Sequence, residues 1–445
     1  MQLLFMALLL ALAVLIIWYS GMRRMIIFII CISFIPYIVG IPSPYLPSYR
    51  LFCLAVLVSA FLRFKSFAPS LRRMPCIWVL LLVLVSFLLT AIMDQRLGAK
   101  ESLWKAVMAF VDTFLMIAVG YFSLYNNRQL RSLNSVLIIL SIVLSIYGIL
   151  SGIIGRDYYG QFFGRVFGAE SYFTPLRSLH RTRLTSFLFD PHLYGFFSST
   201  LFTTVLLFNK NRLLSRPIVL VTLLLLFSGV FFSGSRSSMI AMLVALTIYV
   251  VLKGDLKLFV RYTFIVVVAI SAALAIPATR EKINSVTEIF TTSDGGKTGG
   301  SNRNMRERQL EISLYLFHQN PVWGNGFNYF NEVLKPDQDI IYKQGLLGAE
   351  SYLFILLIEG GMVQIVCIGI FFLYLLAYFL SNLRRHSDYA LWGITILIQF
   401  LFVAFITGAS CRWQFALPFV GLAMRAIVNS KYGRQHKILD HRTSI

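Results

Sequence analysis

The 445-residue sequence has little charge, few carboxylates and no cysteine pattern that could hold a metal or a set of disulfides. Charged residues make up 13% of the chain, about half of the share that is usual in soluble domains, while 58% of the residues are hydrophobic. Such a chain has too little polar surface to cover a globule in water. Together with a mean hydropathy of +0.74, this composition excludes an ordinary soluble protein and indicates an integral membrane protein.

Sequence signatures of metal and nucleotide sites are also missing. The five cysteines all lie within or beside apolar runs, and none has a second cysteine at CxxC spacing. Neither a glycine-rich nucleotide-binding loop nor the HExxH motif of zinc proteases occurs in the chain. We therefore expect no metal site and no cofactor, and a nucleotide-driven pump and a zinc protease are disfavoured.

Long apolar stretches are what the chain has in abundance. About thirteen of them approach the roughly 20 residues that span the hydrocarbon of a bilayer, from residues 3–19 to 412–428, with 105–124 and 260–277 among them. The sequence thus predicts an all-α fold, a polytopic bundle of about 12–13 transmembrane helices with one large exoplasmic loop that contains short helices. The predicted divisions are N-terminal helices with an outer loop (1–184), central helices (185–278), the large loop (279–348), and C-terminal helices with a basic tail (349–445).

Two local features of this plan can be read from the sequence. The longest apolar stretch, 349–382, contains Gly360 and Gly361, which predict its division into a short piece and a full span. Within the large loop, apolar residues at mixed spacing predict an amphipathic surface helix. Those residues are Leu310, Ile312, Leu314, Leu316 and Phe317.

Positive charge predicts the orientation. The formal net charge of +21 would suggest a nucleic-acid partner in a soluble protein, but in a membrane protein it reflects basic cytoplasmic loops. If the 279–348 loop lies outside, every short loop on the inner side is basic, as with Arg23 and Arg24, Arg72 and Arg73, and Arg384 and Arg385. We therefore expect an outer N-terminus, an inner C-terminus and no nucleic-acid partner.

Arginines on the predicted outer side are not explained by orientation. Arg236 lies in a short SGSRSS turn between apolar helices. A guanidinium group in such a place is expected to bind an anion or a carboxylate. The alternative is that Arg236 is a snorkelling or ion-paired residue at a helix end. Several guanidinium groups at one face suit a phosphate or pyrophosphate, which they bind bidentately. The outer arginines are Arg50, Arg96, Arg156, Arg165, Arg177, Arg181, Arg183, Arg236, Arg303, Arg306, Arg308 and Arg412. Of these, the candidate set is Arg181, Arg183, Arg236, Arg303, Arg306, Arg308 and Arg412.

Three carboxylates on the same side have two interpretations each. Asp190 precedes Pro191 and could cap a helix or pair with an arginine. Glu350 lies where burial would raise its pKa and nearby arginines would lower it, which makes it a candidate general base, with helix capping as the alternative. Glu359 is open to the same catalytic interpretation, with pairing to a neighbouring helix as the alternative. Its nine-residue spacing from Glu350 disfavours a catalytic carboxylate pair.

Aromatic residues of the large loop have two interpretations as well. Trp323, Phe327, Tyr329 and Phe330 follow one another closely in the chain. Exposed, they could stack on sugar faces; buried, they would pack the loop. The sequence leaves both alternatives open.

Four ordered stretches resemble the O-antigen polymerase and O-antigen ligase superfamily of bacterial envelope enzymes. They are LTSFLFDPHLYG after Arg183, SGSRSSMIAMLVAL around Arg236, RERQLEISLYLFHQNPVWGNGFNYF in the large loop, and AESYLFILLIEGG at the next span. The resemblance covers about residues 185–375 and maps the family's third stretch onto Arg306, Pro321, Gly324 and Gly326. One departure matters: ligases typically begin the last motif with a His, where this chain has Glu350, so polymerase is favoured over ligase.

The resemblance implies a metal-independent, inverting glycosyl transfer from an undecaprenyl-pyrophosphate carrier on the periplasmic face of the bacterial inner membrane. We assign catalysis to Glu350, Arg236 and Arg306, and substrate binding to Arg181, Arg183, Asp190, Arg303, Arg308 and Arg412. Expected partners are the lipid-linked oligosaccharide, membrane lipid and a chain-length regulator protein. A flippase or secondary transporter is the alternative class, disfavoured by the one-sided loop and the lack of a visible inverted repeat.

The predicted orientation can be tested at Ser293, in the middle of the large loop. We expect Ser293→Cys, in a background without native cysteines, to react with a membrane-impermeant maleimide from the periplasmic side. Labelling only after the cytoplasmic face is opened would contradict the orientation.

Overall fold

The computed structural model describes residues 2–36, 39–40, 46–94, 96, 98–167, 177–178, 181–210, 215–254, 303–334, 351–408 and 413–443. Within these ranges the chain forms seventeen α-helices. The strands in the same ranges are two residues long, an antiparallel pair of Arg177–Ser178 with Arg181–Thr182. The predicted all-α fold is confirmed.

The helices divide into an N-terminal and a C-terminal series. The first series is α1 (Gln2–Trp18), α2 (Met22–Phe34), α3 (Ser48–Phe61), α4 (Phe64–Arg72), α5 (Ile77–Met93), α6 (Ala99–Asp112), α7 (Met116–Tyr121), α8 (Leu130–Ile154) and α9 (Tyr158–Phe167). The second series is α10 (Pro191–Asn209), α11 (Pro217–Phe232), α12 (Arg236–Lys253), α13 (Arg303–Gln319), α14 (Tyr352–Ile355), α15 (Gly361–Ser381), α16 (Ser387–Thr407) and α17 (Trp413–Thr443).

Many of these helices suit a bilayer. Among the described residues, four helical segments are long and apolar enough to cross a membrane: Asn127–Ile154, Arg236–Lys253, Tyr352–Ser381 and Ser387–Thr407. Shorter apolar helices are Gln2–Trp18, Ser48–Phe61, Ile77–Met93 and Pro217–Phe232. These segments fit a polytopic membrane protein. The total of about thirteen spans stays a prediction, and the stretch expected at 260–277 lies outside the described residues.

One expected span is interrupted. The apolar stretch at 105–124 breaks at Thr113, whose backbone leaves the helical conformation and whose hydroxyl donates to the Ala109 carbonyl at 2.6 Å. The resulting short helix α7 packs against α17 with the two backbones in contact. A Cβ on Gly120 would lie 1.8 Å from the Pro418 carbonyl oxygen, so no larger residue fits there without movement of one helix.

The two ends of the bundle carry different sets of loops and helix ends. At one end, which we call the basic end, Lys210 pairs with Asp388 and the Arg73 guanidinium lies 4.2 Å from the centre of the Tyr432 ring. These cations belong to loops predicted to lie inside. The opposite end, which we call the site end, holds the N-termini of α10, α12, α14 and α17.

Contacts near these N-termini link their helices to one another and to the C-terminal end of α16. Ser237 of α12 donates to Thr407 at the end of α16 over 3.5 Å. Phe197 of α10 and Phe415 of α17 have ring centres 4.6 Å apart. Four helices therefore direct their N-termini, and the positive ends of their dipoles, to one region.

The long apolar helix predicted at 349–382 is divided, as Gly360 and Gly361 indicated. α14 ends in a π-helical turn, Leu356–Gly360, and α15 begins anew at Gly361, whose φ is +61°. Residues 321–327, which we call the docked loop, lie against this break. The Met362 N–H donates to the Pro321 carbonyl at 2.8 Å, and the Asn325 N–H donates to the Ile358 carbonyl at 2.9 Å.

Close approach of two glycines makes the docking possible. A Cβ on Gly324 would lie 2.4 Å from the Glu359 carbonyl oxygen, and one on Gly361 would lie 2.5 Å from the Gly324 nitrogen. Both residues also have positive φ, a conformation that glycine adopts without strain. The glycines of the large-loop motif thus have a structural reason that is independent of any substrate.

The predicted amphipathic helix in the large loop is confirmed as α13, but its buried face differs from the apolar set chosen from the sequence. Gln309, Ser313 and Leu316, spaced by four and three residues, are buried. Leu310 and Leu314 are exposed. Because the pattern in the sequence was mixed, it identified the helix without identifying the side that packs.

The docking of the loop generates a stability prediction. Gly361→Ala should lower the free energy of unfolding by about 1–3 kcal/mol, because alanine is strained at this φ and its methyl group meets the docked loop. Gly369→Ala in the same helix is the matched control, since a Cβ there meets nothing within 4 Å. Equal thermal midpoints for the two purified variants would contradict this account.

Candidate functional site

The turn between α11 and α12 fixes the backbone that carries Arg236. The Ser235 N–H donates to the Ser233 hydroxyl at 3.2 Å, and the hydroxyls of Ser235 and Ser238 share a hydrogen bond of 2.8 Å. Gly195 of α10 allows the turn to approach, since a Cβ there would lie 2.5 Å from the Ser233 hydroxyl. Arg236 follows as the first residue of α12, with a partly buried side chain.

Arg183 lies along the same turn. The Leu184 N–H donates to the Phe232 carbonyl at 3.2 Å, which holds the 183–184 backbone beside the end of α11. Gly234 has a positive φ of +65°, and a Cβ on it would lie 3.3 Å from Arg183 Nε. The structure therefore brings Arg183 against the turn that leads into Arg236. Burial lowers the pKa of the Arg183 guanidinium, and the charge of Asp190 opposes that change.

Asp190 is a helix cap. Its Oδ1 accepts the backbone N–H of His192 at 2.7 Å and that of Leu193 at 3.4 Å, at the first turn of α10. The same carboxylate interacts electrostatically with Arg183. The two interpretations of Asp190 from the sequence therefore hold together, and Asp190 fixes the site end of α10 rather than offering a free carboxylate.

Arg156 is one of the outer arginines of the sequence that were not assigned to the site. It lines a small cleft together with Arg183 and Thr185, between the end of α8 and the segment before α10. The neighbouring Asp157 is buried and committed to other groups, accepting the Tyr147 hydroxyl at 2.7 Å and the Gly160 N–H at 3.0 Å. Its position at the predicted outer end of an apolar helix was the available signal.

Two other outer arginines are committed to structure. Arg50 forms a bidentate ion pair with Asp112, with Nε–Oδ1 2.7 Å and Nη2–Oδ2 2.5 Å, in a poorly exposed setting. Arg96 pairs with Asp94 at 2.9 Å and lies over the Tyr329 ring, 4.8 Å from its centre. Their charges are therefore neutralised within the fold.

The helix that carries Arg306 packs beside the start of the divided span. α13 contacts α14 and the π-helical turn. Leu316, Leu334 and Ile358 form a small apolar cluster of their own at this contact. The Arg306 side chain is partly buried and that of Arg308 is exposed. The side chains of Arg303 and Arg181 lie outside what the structure describes.

Glu350 and Arg412 lie outside the described residues, but their chain neighbours are placed. Ser351 caps α14, its hydroxyl accepting the Leu353 N–H at 3.2 Å. Tyr352 and Trp413 have ring centres 5.3 Å apart. The described residues that follow Glu350 and Arg412 thus lie side by side at the site end.

Glu359 serves the docked loop and the residues after it. Its carboxylate accepts the Phe330 N–H at 3.1 Å, so its partner is the backbone at the start of the short π-helical turn Phe330–Leu334. Phe327 is buried against Phe87, with ring centres 5.0 Å apart. Tyr329 lies under Arg96. At least two of the four loop aromatics therefore pack against other residues of the protein instead of being free to stack on a sugar.

The segment that holds these features has a recognisable relative. Residues 221–369 match the O-antigen ligase family. The match covers about a third of the chain and includes Arg236, α13, the docked loop and the break in the divided span. It confirms the resemblance to the O-antigen polymerase and ligase superfamily, whose members are glycosyltransferase-like enzymes. No curated protein matches the chain.

The match supports an O-antigen ligase or polymerase type of function in general. Arg183, Asp190 and Arg156 precede the matched segment, so the family model says nothing about them. Arg183 contacts the matched segment at Gly234.

The structural role of Arg50 generates a second stability prediction. Arg50→Ala should destabilise the purified protein by about 1–3 kcal/mol, because it leaves the largely buried Asp112 carboxylate without its cation. The double variant Arg50→Ala/Asp112→Ala should recover part of that loss in thermal unfolding. If the double variant loses as much stability relative to wild type as the two single variants lose together, the pair is not coupled.

Proposed function

We propose that this protein is a polymerase of bacterial surface polysaccharide. It transfers a glycan from an undecaprenyl-pyrophosphate-linked donor to a lipid-linked repeat-unit acceptor on the periplasmic side of the inner membrane. No nucleotide sugar is available there, so the donor must arrive already activated. A lipid pyrophosphate meets this need, because it is anchored in the bilayer and anionic.

The observation that carries the proposal is the contact of Arg183 with the turn that begins α12 at Arg236. Two guanidinium-bearing residues are thereby supplied to one place by chain segments that are some fifty residues apart in sequence. The matched O-antigen ligase segment contains one of them. The arrangement suits a diphosphate, which accepts paired N–H donors from arginine.

The helix ends at this place favour an anion too. The N-termini of α10 and α12 meet there, where Gly195 packs on the serine turn. The positive end of a helix dipole and its free N–H groups stabilise negative charge. As the bond between the anomeric carbon and the phosphate oxygen breaks, negative charge grows on the departing diphosphate. Fixed positive groups stabilise that transition state without a metal ion.

Glu350 completes the proposed reaction as general base. An acceptor sugar hydroxyl attacks the anomeric carbon from the side opposite the diphosphate, and its proton passes to the Glu350 carboxylate. A glycosidic bond forms with inversion, and undecaprenyl pyrophosphate leaves. The side-by-side packing of Tyr352 and Trp413 supports joint action of Glu350 and Arg412. Arg306, with Arg303 and Arg308 on the same helix, is assigned to the donor glycan or its phosphates.

Polymerase is preferred over ligase because Glu350 stands where ligases of the family typically have a His. A ligase would transfer finished polymer to lipid A–core instead of to another lipid-linked repeat unit. A flippase would need no large loop docked on one side of the bundle. The docked loop and its contacts with α15 therefore favour an enzyme over a transporter.

Deletion of the gene separates these three functions in one experiment. The proposal expects single repeat units on the lipid A–core in a gel of surface polysaccharide. Long polymer retained on the undecaprenyl carrier would identify a ligase. Lipid-linked single units retained at the cytoplasmic face would identify a flippase.

Arg236→Lys tests the diphosphate contact. We expect polymerisation to fall by about 10- to 100-fold, since lysine keeps the charge and loses the planar pair of donors. Arg216→Lys, at an exposed position on the basic end, is the matched control and should behave as wild type. Wild-type polymer length in Arg236→Lys, at normal abundance in the membrane, would remove Arg236 from the site.

Glu350→Gln tests the base, because it keeps the size of the side chain and removes its ability to accept a proton. We expect turnover of lipid-linked repeat units by the purified variant to fall by about 10²–10⁴-fold with donor binding retained. Partial recovery in Glu350→His would support proton transfer. Wild-type turnover in Glu350→Gln would leave Glu350 with a structural role only.

A further inference from the structure

A large apolar groove lies at the basic end of the bundle, far along the chain from the proposed site. It is formed by α3, α4, α5 and α7 and has a volume of about 430 Å³. Its lining is entirely hydrophobic, with Leu57 and Phe61 on one side and Leu80 and Leu84 on the other. This volume is within the range of ligand sites in proteins.

The rim of the groove is apolar and exposed. Phe61 is 58% exposed at its rim, and Trp78 at the first turn of α5 is 78% exposed. Tryptophan at such a helix end is typical of the membrane interface. The short helix α4 closes one side, with Phe67 and Leu71 in the groove and Ser70 accepting a hydrogen bond from Arg425 of α17.

Arginines gather at this end of the groove. Arg24 is fully buried, and its guanidinium donates to neutral oxygens, Ser59 Oγ at 3.3 Å and Ser123 Oγ at 3.4 Å. Arg63 donates to the same Ser59 hydroxyl at 2.6 Å. Two guanidinium groups thus share one hydroxyl oxygen.

Ser59, which carries the shared hydroxyl, is adjacent in sequence to a residue that lines the groove. Val58 precedes Ser59 and lines the groove, and Phe122, which also lines it, accepts a hydrogen bond from Arg24 through its carbonyl. Arg72 follows Leu71, another lining residue, and is exposed. Positive charge is therefore concentrated at the end of the groove that is closed by α4.

We propose that this groove is a binding site for one anionic phospholipid of the cytoplasmic leaflet, with an acyl chain in the groove and the phosphate at Arg72. An all-hydrophobic lining accepts an acyl chain, and basic residues at the cytoplasmic membrane surface select anionic head groups. The inference uses the predicted orientation and does not depend on the proposed enzymatic function.

The test is native mass spectrometry of the full-length protein with phosphatidylglycerol and phosphatidylcholine of the same acyl chains. We expect one phosphatidylglycerol to be retained selectively. Leu84→Trp, which fills the groove, should abolish that selective retention. Leu82→Trp on the same helix is exposed outside the lining and should retain it. Thermal unfolding of both variants checks that each is folded.

A second pair of variants tests the head group without touching the groove. Arg72→Gln should weaken retention of phosphatidylglycerol by about fivefold, the effect of one basic residue near an anionic surface. Arg384→Gln, exposed on another inner loop, should have no effect. Equal retention of the two lipids, unchanged retention in Leu84→Trp and Arg72→Gln, or displacement of phosphatidylglycerol by undecaprenyl phosphate at equal concentration would each overturn the proposal.

Discussion

Backbone contact between the docked loop and the divided span is the constraint on which the outer part of this protein depends. Main-chain hydrogen bonds join Pro321 and Asn325 to residues on both sides of the break at Gly361. Because these bonds use backbone atoms, they require a particular chain path and not particular side chains. The path fixes where α13 lies, and with it the arginines proposed to meet the donor. The break also frees carbonyls of the span, and the loop N–H groups satisfy them.

Aromatic packing relates this docked region to the proposed reaction site. Phe327 packs on Phe87, Phe87 on Phe114, and Phe114 on Trp413, with successive ring centres 5.0, 5.7 and 4.9 Å apart. Trp413 then packs on Tyr352. The N-terminal helices thus do more than anchor the chain, since α5 and the segment after α6 hold the loop in a fixed relation to the N-termini of α14 and α17.

The sequence predicted the features that depend on composition and local chemistry. The helical class, the division at Gly360 and Gly361, the loop helix α13 and the capping by Asp190 all follow from nearest neighbours along the chain. Contacts between distant segments of the bundle could not be predicted from the sequence. Arg50 and Arg236 look alike in sequence, as cations beside apolar stretches, and only the position of Asp112 shows that Arg50 is neutralised. Arg156 was passed over because its relation to Arg183 arises from a contact between distant segments. Positions 350 and 412 lie beyond the described residues and keep their roles as proposals.

Gly324 and Gly361 form a contact that leaves no record in sequence variation. A side chain at either position would overlap the backbone of the other segment, so a change at one cannot be compensated by a smaller residue at its partner, which is already the smallest. Pairs of positions reveal their proximity through correlated substitution only when both can vary. Methods that infer contacts from covariation would therefore be blind to the junction that holds the loop on the span, however many relatives were compared.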